Sequence, residues 1–331
     1  MAPDKPAPHH EILVASENEY AKLGAEHGVD VTREGLILPD RDHSKLDQKI
    51  ANDLPNVASR VMEARKLGLD VIYLPGSYDL VHVGHLSYVD QVVSHYLEET
   101  ARLGRNLDRG NLFLVMLADD DQLIGRIKAG KYIGNGGDEL FRRPVEAGLD
   151  EHGRSPRLDS LASFPVDCVG FIPSPEVQNL PGSYGLDISK CRDIAASISS
   201  SSELDHYNQI LESYQRIEEL FAHHESLERA TWSIAAWQLY ITLQIANPQP
   251  QDINTTPQPF SGECITRAIS AHDKHYLDAV KMISRWSGVG VTVIDDVEAV
   301  STTGLLQRFG PKTLLERKAT SIRDRGSDHS T

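Results

Sequence analysis

The chain has 331 residues, 40% of them hydrophobic, and carries a formal net charge of −15 at pH 7. That length holds two domains or one elaborated domain, and the apolar fraction suffices for a core. The charge argues against nucleic acid as a partner, because phosphate contacts dominate that affinity and demand a basic face. An anionic ligand would need a local basic patch inside an acidic protein.

Cys168, Cys191 and Cys264 are far apart and form no C-x-x-C pair. They read as buried thiols of a reducing compartment, not as a disulfide or zinc framework. No secretory signal is evident. The most apolar stretch, Trp232 to Ala246, is interrupted by Ser233, Gln238, Thr242 and Gln244 and is too short to span a bilayer. A soluble, cytoplasmic protein with no membrane partner is the expectation.

Residues Met1 to His10 are rich in Pro and His and are expected to be disordered. Ser16-Glu17-Asn18-Glu19 is a capping box that opens a short helix. The chain turns around Pro39 to Asp42, and two helices follow, the second running from near Pro55 to Gly68. Residues 1–69 thus form an N-terminal helical extension without evident chemistry. It is expected to pack on the domain that follows or to build an oligomer contact.

From Asp70 the pattern changes to alternating strands and helices, the signal of a parallel α/β sheet. Val71-Ile72-Tyr73-Leu74 reads as a buried strand, and Leu86, Val89, Val92, Val93, Tyr96 and Leu97 are spaced as one face of a helix. Between them lies Gly76-Ser77-Tyr78-Asp79-Leu80-Val81-His82-Val83-Gly84-His85. Backbone N–H groups and the macrodipole at a helix start favour an anion. Gly76 and Gly84 let backbone approach a ligand closely. Two imidazoles at such a turn can donate hydrogen bonds to a phosphate. Taken alone, His-x-Gly-His reads more readily as solvated histidines or an adventitious metal site. The strand before it, the helix after it and Asp79 within the loop favour the phosphate site.

Gly-x-Tyr-Asp-x-x-His-x-Gly-His resembles the signature of the cytidylyltransferase-like nucleotidyltransferases. Within them it is similar to the glycerol-3-phosphate cytidylyltransferases and the heptose-1-phosphate adenylyltransferases, which carry Phe where this chain has Tyr78.

Leu112-Phe113-Leu114-Val115-Met116-Leu117 is a continuous apolar run of the kind found in a central strand. It ends in Ala118-Asp119-Asp120-Asp121, an acidic triplet read as a helix cap in preference to a metal site. In open α/β sheets ligands bind beyond the carboxyl ends of strands, so this end and the His-Val-Gly-His turn face one crevice. A basic, Gly-rich stretch follows, with Arg126, Lys128 and Lys131, then Gly134-Asn135-Gly136-Gly137, then Arg142-Arg143-Pro144-Val145. Most such runs are solvated loops. Placement beside the crevice, in a chain short of positive charge, points to phosphate. The resemblance implies a lysine after this strand, matched by Lys128, and an Arg-Pro-Val, matched by Arg143-Pro144-Val145. It also implies an arginine opening the next helix, matched by Arg157. The stretch from Lys131 to Arg157 is longer than in the heptose enzymes, so Arg154 competes for that place. Val166-Asp167-Cys168-Val169 marks the next strand.

Residues 173–263 break the α/β rhythm. Ile210, Tyr214, Ile217 and Phe221 share a helical stripe, and Trp232 to Ile245 forms a second apolar helix ended by Asn247-Pro248. This reads as an inserted helical hairpin, a dimer contact in preference to a substrate lid. The sheet pattern returns over 264–310, with strands at Cys264 to Ile269 and Val289 to Ile294. Asp273 stands where the family has a Gly-x-Asp. Val300-Ser301-Thr302-Thr303 reads as an ordinary helix cap, which is also a place where phosphate docks. It resembles the Ile-Ser-Thr-Thr second signature of the same family. Residues 311–331 read as a charged, flexible tail.

The resemblance covers roughly Asp70 to Ile172 and His272 to Phe309. It implies an α/β fold, a Rossmann-like open parallel sheet carrying the N-terminal helical extension and the inserted hairpin. It implies transfer of a nucleotidyl group from ATP or CTP to a phosphorylated sugar or polyol, with release of pyrophosphate. His82 and His85 would then serve the α/β-phosphates, Lys128 the transferring group, Arg143 and Arg157 further phosphates, and Ser301, Thr302 and Thr303 the β/γ-phosphates. Gly76, Ser77, Tyr78, Asp79 and Gly84 would line the turn. A Mg²⁺ ion is expected on the phosphates, with its protein ligands unassigned, and a homo-oligomer is expected from the insertion. Two other readings stand beside this one: a non-catalytic nucleotide-binding or assembly module, and a class I aminoacyl-tRNA synthetase-like enzyme. The second lacks a Lys-Met-Ser-Lys-Ser loop and a basic face.

Overall fold

The computed structural model describes residues 17–121, 124, 149, 153–172, 263–267, 290–294, 300 and 302–327. Helix α1 (Glu17–Glu26), α2 (His43–Lys49) and α3 (Leu54–Lys66) precede strand β1 (Asp70–Gly76). Helix α4 (Val83–Arg102) leads to β2 (Leu112–Asp119), α5 (Pro156–Ala162) and β3 (Cys168–Ile172). Then come β4 (Glu263–Arg267), β5 (Gly290–Ile294), α6 (Thr302–Phe309) and α7 (Pro311–Ser327). The inserted hairpin expected within 173–263 lies outside the described residues, apart from Glu263 at the start of β4.

The strands form one parallel sheet in the order β3-β2-β1-β4-β5. Pairing is longest between β1 and β2, from Asp70 opposite Leu112 to Gly76 opposite Ala118. Alternate side chains leave opposite faces of such a sheet. On one face Ile72, Leu74, Leu114 and Met116 join a core with Leu86, Val89, Val92 and Tyr96 of α4. On the other, α3 lies against β1 and β3. There it comes so close that a Cβ on Gly170 would stand 2.7 Å from Val57 Cγ2. Coverage of both faces is why β1 and β2 are unbroken apolar runs. The chain runs outward from β1 through β2 to β3, then returns to the other side of β1 for β4. The connections therefore reverse beside β1, and its carboxyl end is where a ligand crevice forms in open α/β sheets.

The N-terminal extension is tied into this domain. Asp53 caps α3, with Pro55 in the first turn, and Gly68 (φ 78°) follows its end. Arg60 holds the carbonyls of Gln48, Lys49 and Ile50 at 2.8–3.0 Å, while Ile50 bridges to Val169. Burial pushes the Lys49 amine below its ordinary range, and its Nζ donates to the Phe164 carbonyl at 2.7 Å. Cys168 is buried, and desolvation lifts its thiol to about 11. Among the described residues no helix is long and apolar enough to cross a membrane.

Residues 311–327 are not the flexible tail that their charge suggests. They form α7, with Leu314 fully buried and Lys318 nearly so. The Lys318 amine donates to Ser160 Oγ at 2.9 Å, Arg317 pairs with Glu34, and Arg325 pairs with Asp30 at 2.5 Å. Residues 314, 318 and 325 fall close to one helical stripe, so Lys318 and Arg325 lie along a docked face, where Ser160 and Asp30 receive them. Leu314→Ala should lower the unfolding free energy by about 2–4 kcal/mol. Urea denaturation checks this, and a change under about 1 kcal/mol would mean that α7 is not part of the core.

Candidate functional site

Strand β1 ends at Gly76, and the loop after it is held from below. Ser77 Oγ donates to Asp119 Oδ2 at 3.1 Å, joining the carboxyl ends of β1 and β2. Tyr78 has φ 42°, a left-handed conformation that costs a bulky residue free energy. Its ring lies over Gly76, where a Cβ would stand 2.9 Å from the ring carbons. Its hydroxyl donates to the Leu74 carbonyl at 3.0 Å. Asp79, Leu80 and Val81 are buried and lead the chain to His82.

His82 is the N-cap of α4, an uncommon choice for that place. Its Nδ1 accepts from the Gly84 N–H at 3.1 Å, and His85 Nδ1 accepts from the His82 N–H at 3.4 Å. The two Nδ1 atoms thus complete a capping box, and the rings stack with centroids 3.9 Å apart. A neutral imidazole accepts at one nitrogen and carries its proton on the other. Both side chains therefore hold that proton on Nε2.

The helix start is less open to an anion than the sequence suggests. The Val83 N–H donates to Gly35 O at 2.9 Å, the Gly84 N–H to His82 Nδ1, and the His85 N–H to His82 O at 2.9 Å. With these N–H groups satisfied inside the protein, the imidazole Nε2–H groups and the dipole are what α4 offers to a phosphate. The carbonyl of Gly35 comes from a turn in the N-terminal extension, where Leu36 bridges to His82 and the Ile37 N–H donates to Val81 O at 3.0 Å. Sequence reasoning assigned this segment no part in the site. Val29-Asp30-Val31 and Leu36-Ile37-Leu38 flank Gly35, and that pattern is a hairpin-like signal.

The second junction meets the first. A Cβ on Gly84 would lie 2.4 Å from the Val300 carbonyl oxygen, so only glycine permits this approach. Thr302, the first residue of α6, places its Oγ1 3.3 Å from His82 Nε2. His82 is 1% exposed and His85 is half-buried. Thr303 follows in α6. Lys128, Arg143, Asp273 and Ser301 lie outside the described residues.

Arg157, expected to grip phosphate, lies inside the protein. It is fully buried, and four of its donor contacts are spent within the protein. Nε donates to Tyr78 O (3.2 Å), one terminal nitrogen to Asp121 Oδ1 (2.7 Å), and the other to Ser77 O (2.9 Å) and Asp119 O (2.5 Å). The guanidinium fork suits this work, because it reaches several carbonyls from one rigid plane. Arg154, the competitor, pairs with Asp159 at 2.9 Å and Asp47 at 2.6 Å, and these bonds raise its pKa further. Within the acidic triplet, Asp119 accepts from Ser77, Asp121 from Arg157, and the Asp120 carbonyl from the Ile124 N–H at 3.0 Å. Among the described residues no group of three His, Cys, Asp or Glu is set to hold a metal ion.

No family model matches the chain, and no curated protein matches it significantly. Gly84→Ala tests the meeting of the two junctions. The added methyl should cost about 1–3 kcal/mol of stability and raise amide hydrogen exchange in the first turns of both α4 and α6. Unchanged stability with unchanged exchange would mean that the junctions do not touch.

Proposed function

We propose that the chain is a nucleotidyltransferase of Rossmann-like fold that moves a nucleotidyl group from ATP or CTP to a phosphorylated sugar or polyol. The observation that carries this reading is the 3.3 Å approach of Thr302 Oγ1 to His82 Nε2 across 220 positions of sequence. It gathers two imidazole donors and a hydroxyl-bearing helix start beside the strand end where the sheet's connections reverse. The strand order and the resemblance of both junctions to one family support the same reading.

In the proposed reaction an oxygen of the acceptor's phosphate attacks the α-phosphorus. A new P–O bond forms, the bond to the β-phosphate bridging oxygen breaks, and its electron pair leaves on pyrophosphate. No protein nucleophile is required, so the chain contributes position and charge stabilisation. His82 and His85 donate from Nε2 to phosphate oxygens as charge builds there. Thr302 yields its contact with His82 to the incoming phosphate and binds it through its hydroxyl. Lys128 and Arg143 supply positive charge, while Arg157 holds the loop that carries Tyr78. Magnesium enters as part of the nucleotide substrate. The carboxylates of Asp119 and Asp121 are engaged by Ser77 and Arg157, which suits an ion that keeps its waters and few protein ligands.

A pyrophosphate-release screen that crosses nucleoside triphosphates with sugar and polyol phosphates tests the proposal. With the active pair in hand, His82→Ala and His85→Ala should each lower kcat about 10²–10³-fold, the usual loss for one transition-state donor. Circular dichroism should show the fold retained. Turnover near wild type in either variant would remove that histidine from the mechanism.

A further inference from the structure

We propose that Tyr78 is a positioning residue that fixes the His85 ring, and with it the Nε2 proton that His85 presents to phosphate; the catalytic part of this rests on the transferase reading. Tyr78 sits with φ 42°, where a residue of its size is held only by its surroundings. Two bonds hold it. Arg157 Nε donates to its carbonyl at 3.2 Å, and its own hydroxyl donates to the Leu74 carbonyl at 3.0 Å inside the core. Backbone and ring tip are thus pinned separately, and Gly76 leaves the room in which the ring lies.

The pinned ring meets His85 edge-on, with centroids 5.0 Å apart and planes at 75°. Such an arrangement is favourable and directional beyond the burial it brings. His85 also stacks on His82, with ring centroids 3.9 Å apart. Two rings set at different angles, 75° and 21° to the imidazole, therefore bear on it and restrain its plane. Within that plane the bond from the His82 N–H to Nδ1 selects the tautomer. At 3.4 Å that bond is long and orients a half-buried ring only loosely. The contact with the Tyr78 ring adds a second, directional restraint. A phenylalanine would keep the edge and lose the tether to Leu74, so the two functions of Tyr78 separate by mutation.

The test uses the full-length protein and two variants, Tyr78→Phe and Tyr78→Ala, with ¹⁵N spectra of the histidine rings as a readout independent of catalysis. In the parent, His85 should show a single neutral tautomer protonated at Nε2. Tyr78→Ala should give a mixture of tautomers at His85 while His82 keeps its own, and Tyr78→Phe should fall between. With an active substrate pair, Tyr78→Phe should lower kcat roughly 3- to 10-fold, about the worth of one buried hydrogen bond, with the KM for nucleotide little changed. If Tyr78→Ala folds, by circular dichroism, and leaves the His85 tautomer unchanged, the positioning role is overturned. If it does not fold, an unaltered His85 spectrum in Tyr78→Phe, with unaltered kcat, overturns it instead. Absence of pyrophosphate release in the parent would sink the transferase reading and leave the spectroscopic result to judge the clamp.

Discussion

The site depends on a helix cap made of imidazoles. Serine, threonine, aspartate or asparagine would cap α4 at least as well, since all that a cap requires is an acceptor near the first N–H groups. Those residues spend their polar side chain on the cap. Histidine does not, because its ring has a second nitrogen. When Nδ1 of His82 and of His85 accepts from backbone, the proton of each neutral ring is forced to Nε2. The same bonds that close the helix therefore decide which atom is a donor. Stability of the α4 start and the chemistry of the pair are one constraint.

That constraint holds only while the loop ahead of the helix stays in place, and the loop is secured from two sides. From outside, the turn around Gly35 pairs with His82 and Val81 and satisfies the Val83 N–H. From inside, Arg157 gathers the carbonyls of Ser77, Tyr78 and Asp119. Helix α7 links the two supports, since Arg317 and Arg325 reach Glu34 and Asp30 beside the Gly35 turn while Lys318 reaches Ser160 on the helix that carries Arg157. Segments at both ends of the chain are thereby committed to a turn in its first third. Buried arginine is tolerable here because its donors meet carbonyls and one carboxylate; an unpaired charge at that depth would be costly.

What could be read from the sequence follows from range. The strands β1 and β2, the amphipathic face of α4 and the ends of α3 rest on patterns within one element, and each was legible. Parallel pairing was legible too, because a strand apolar on both faces has few other places to go. The destination of Arg157 was not legible. A buried arginine and a phosphate-binding arginine are the same letter at the same spacing, and only the tertiary position of the Tyr78 loop separates them. Helix α7 was missed for a related reason. Its charges suggest fraying until Asp30 and Glu34, nearly three hundred positions away, are known to face them. The cap itself lay in plain view as His-Val-Gly-His, but the ring nitrogens' roles depend on backbone N–H directions that no residue pattern states.

With the N–H groups at the start of α4 already bonded, the proposed recognition of an anion passes from backbone to side chains. The difference matters for a reaction in which charge moves. Backbone amides and fixed cations attract a triphosphate before the reaction as well as during it, which tightens binding without lowering the barrier. A neutral Nε2–H is a weaker lure for the ground state, and it strengthens as negative charge gathers on the oxygen it faces. Under the proposed reading, such donors in a chain of net charge −15 would discourage indiscriminate binding of polyanions and keep their largest effect for the moment of transfer. The contact of His82 with Thr302 adds a condition, because a phosphate must replace a hydroxyl that already satisfies the ring. Only a ligand able to engage the second junction as well offers Thr302 a partner in exchange, so the geometry favours a group long enough to touch both.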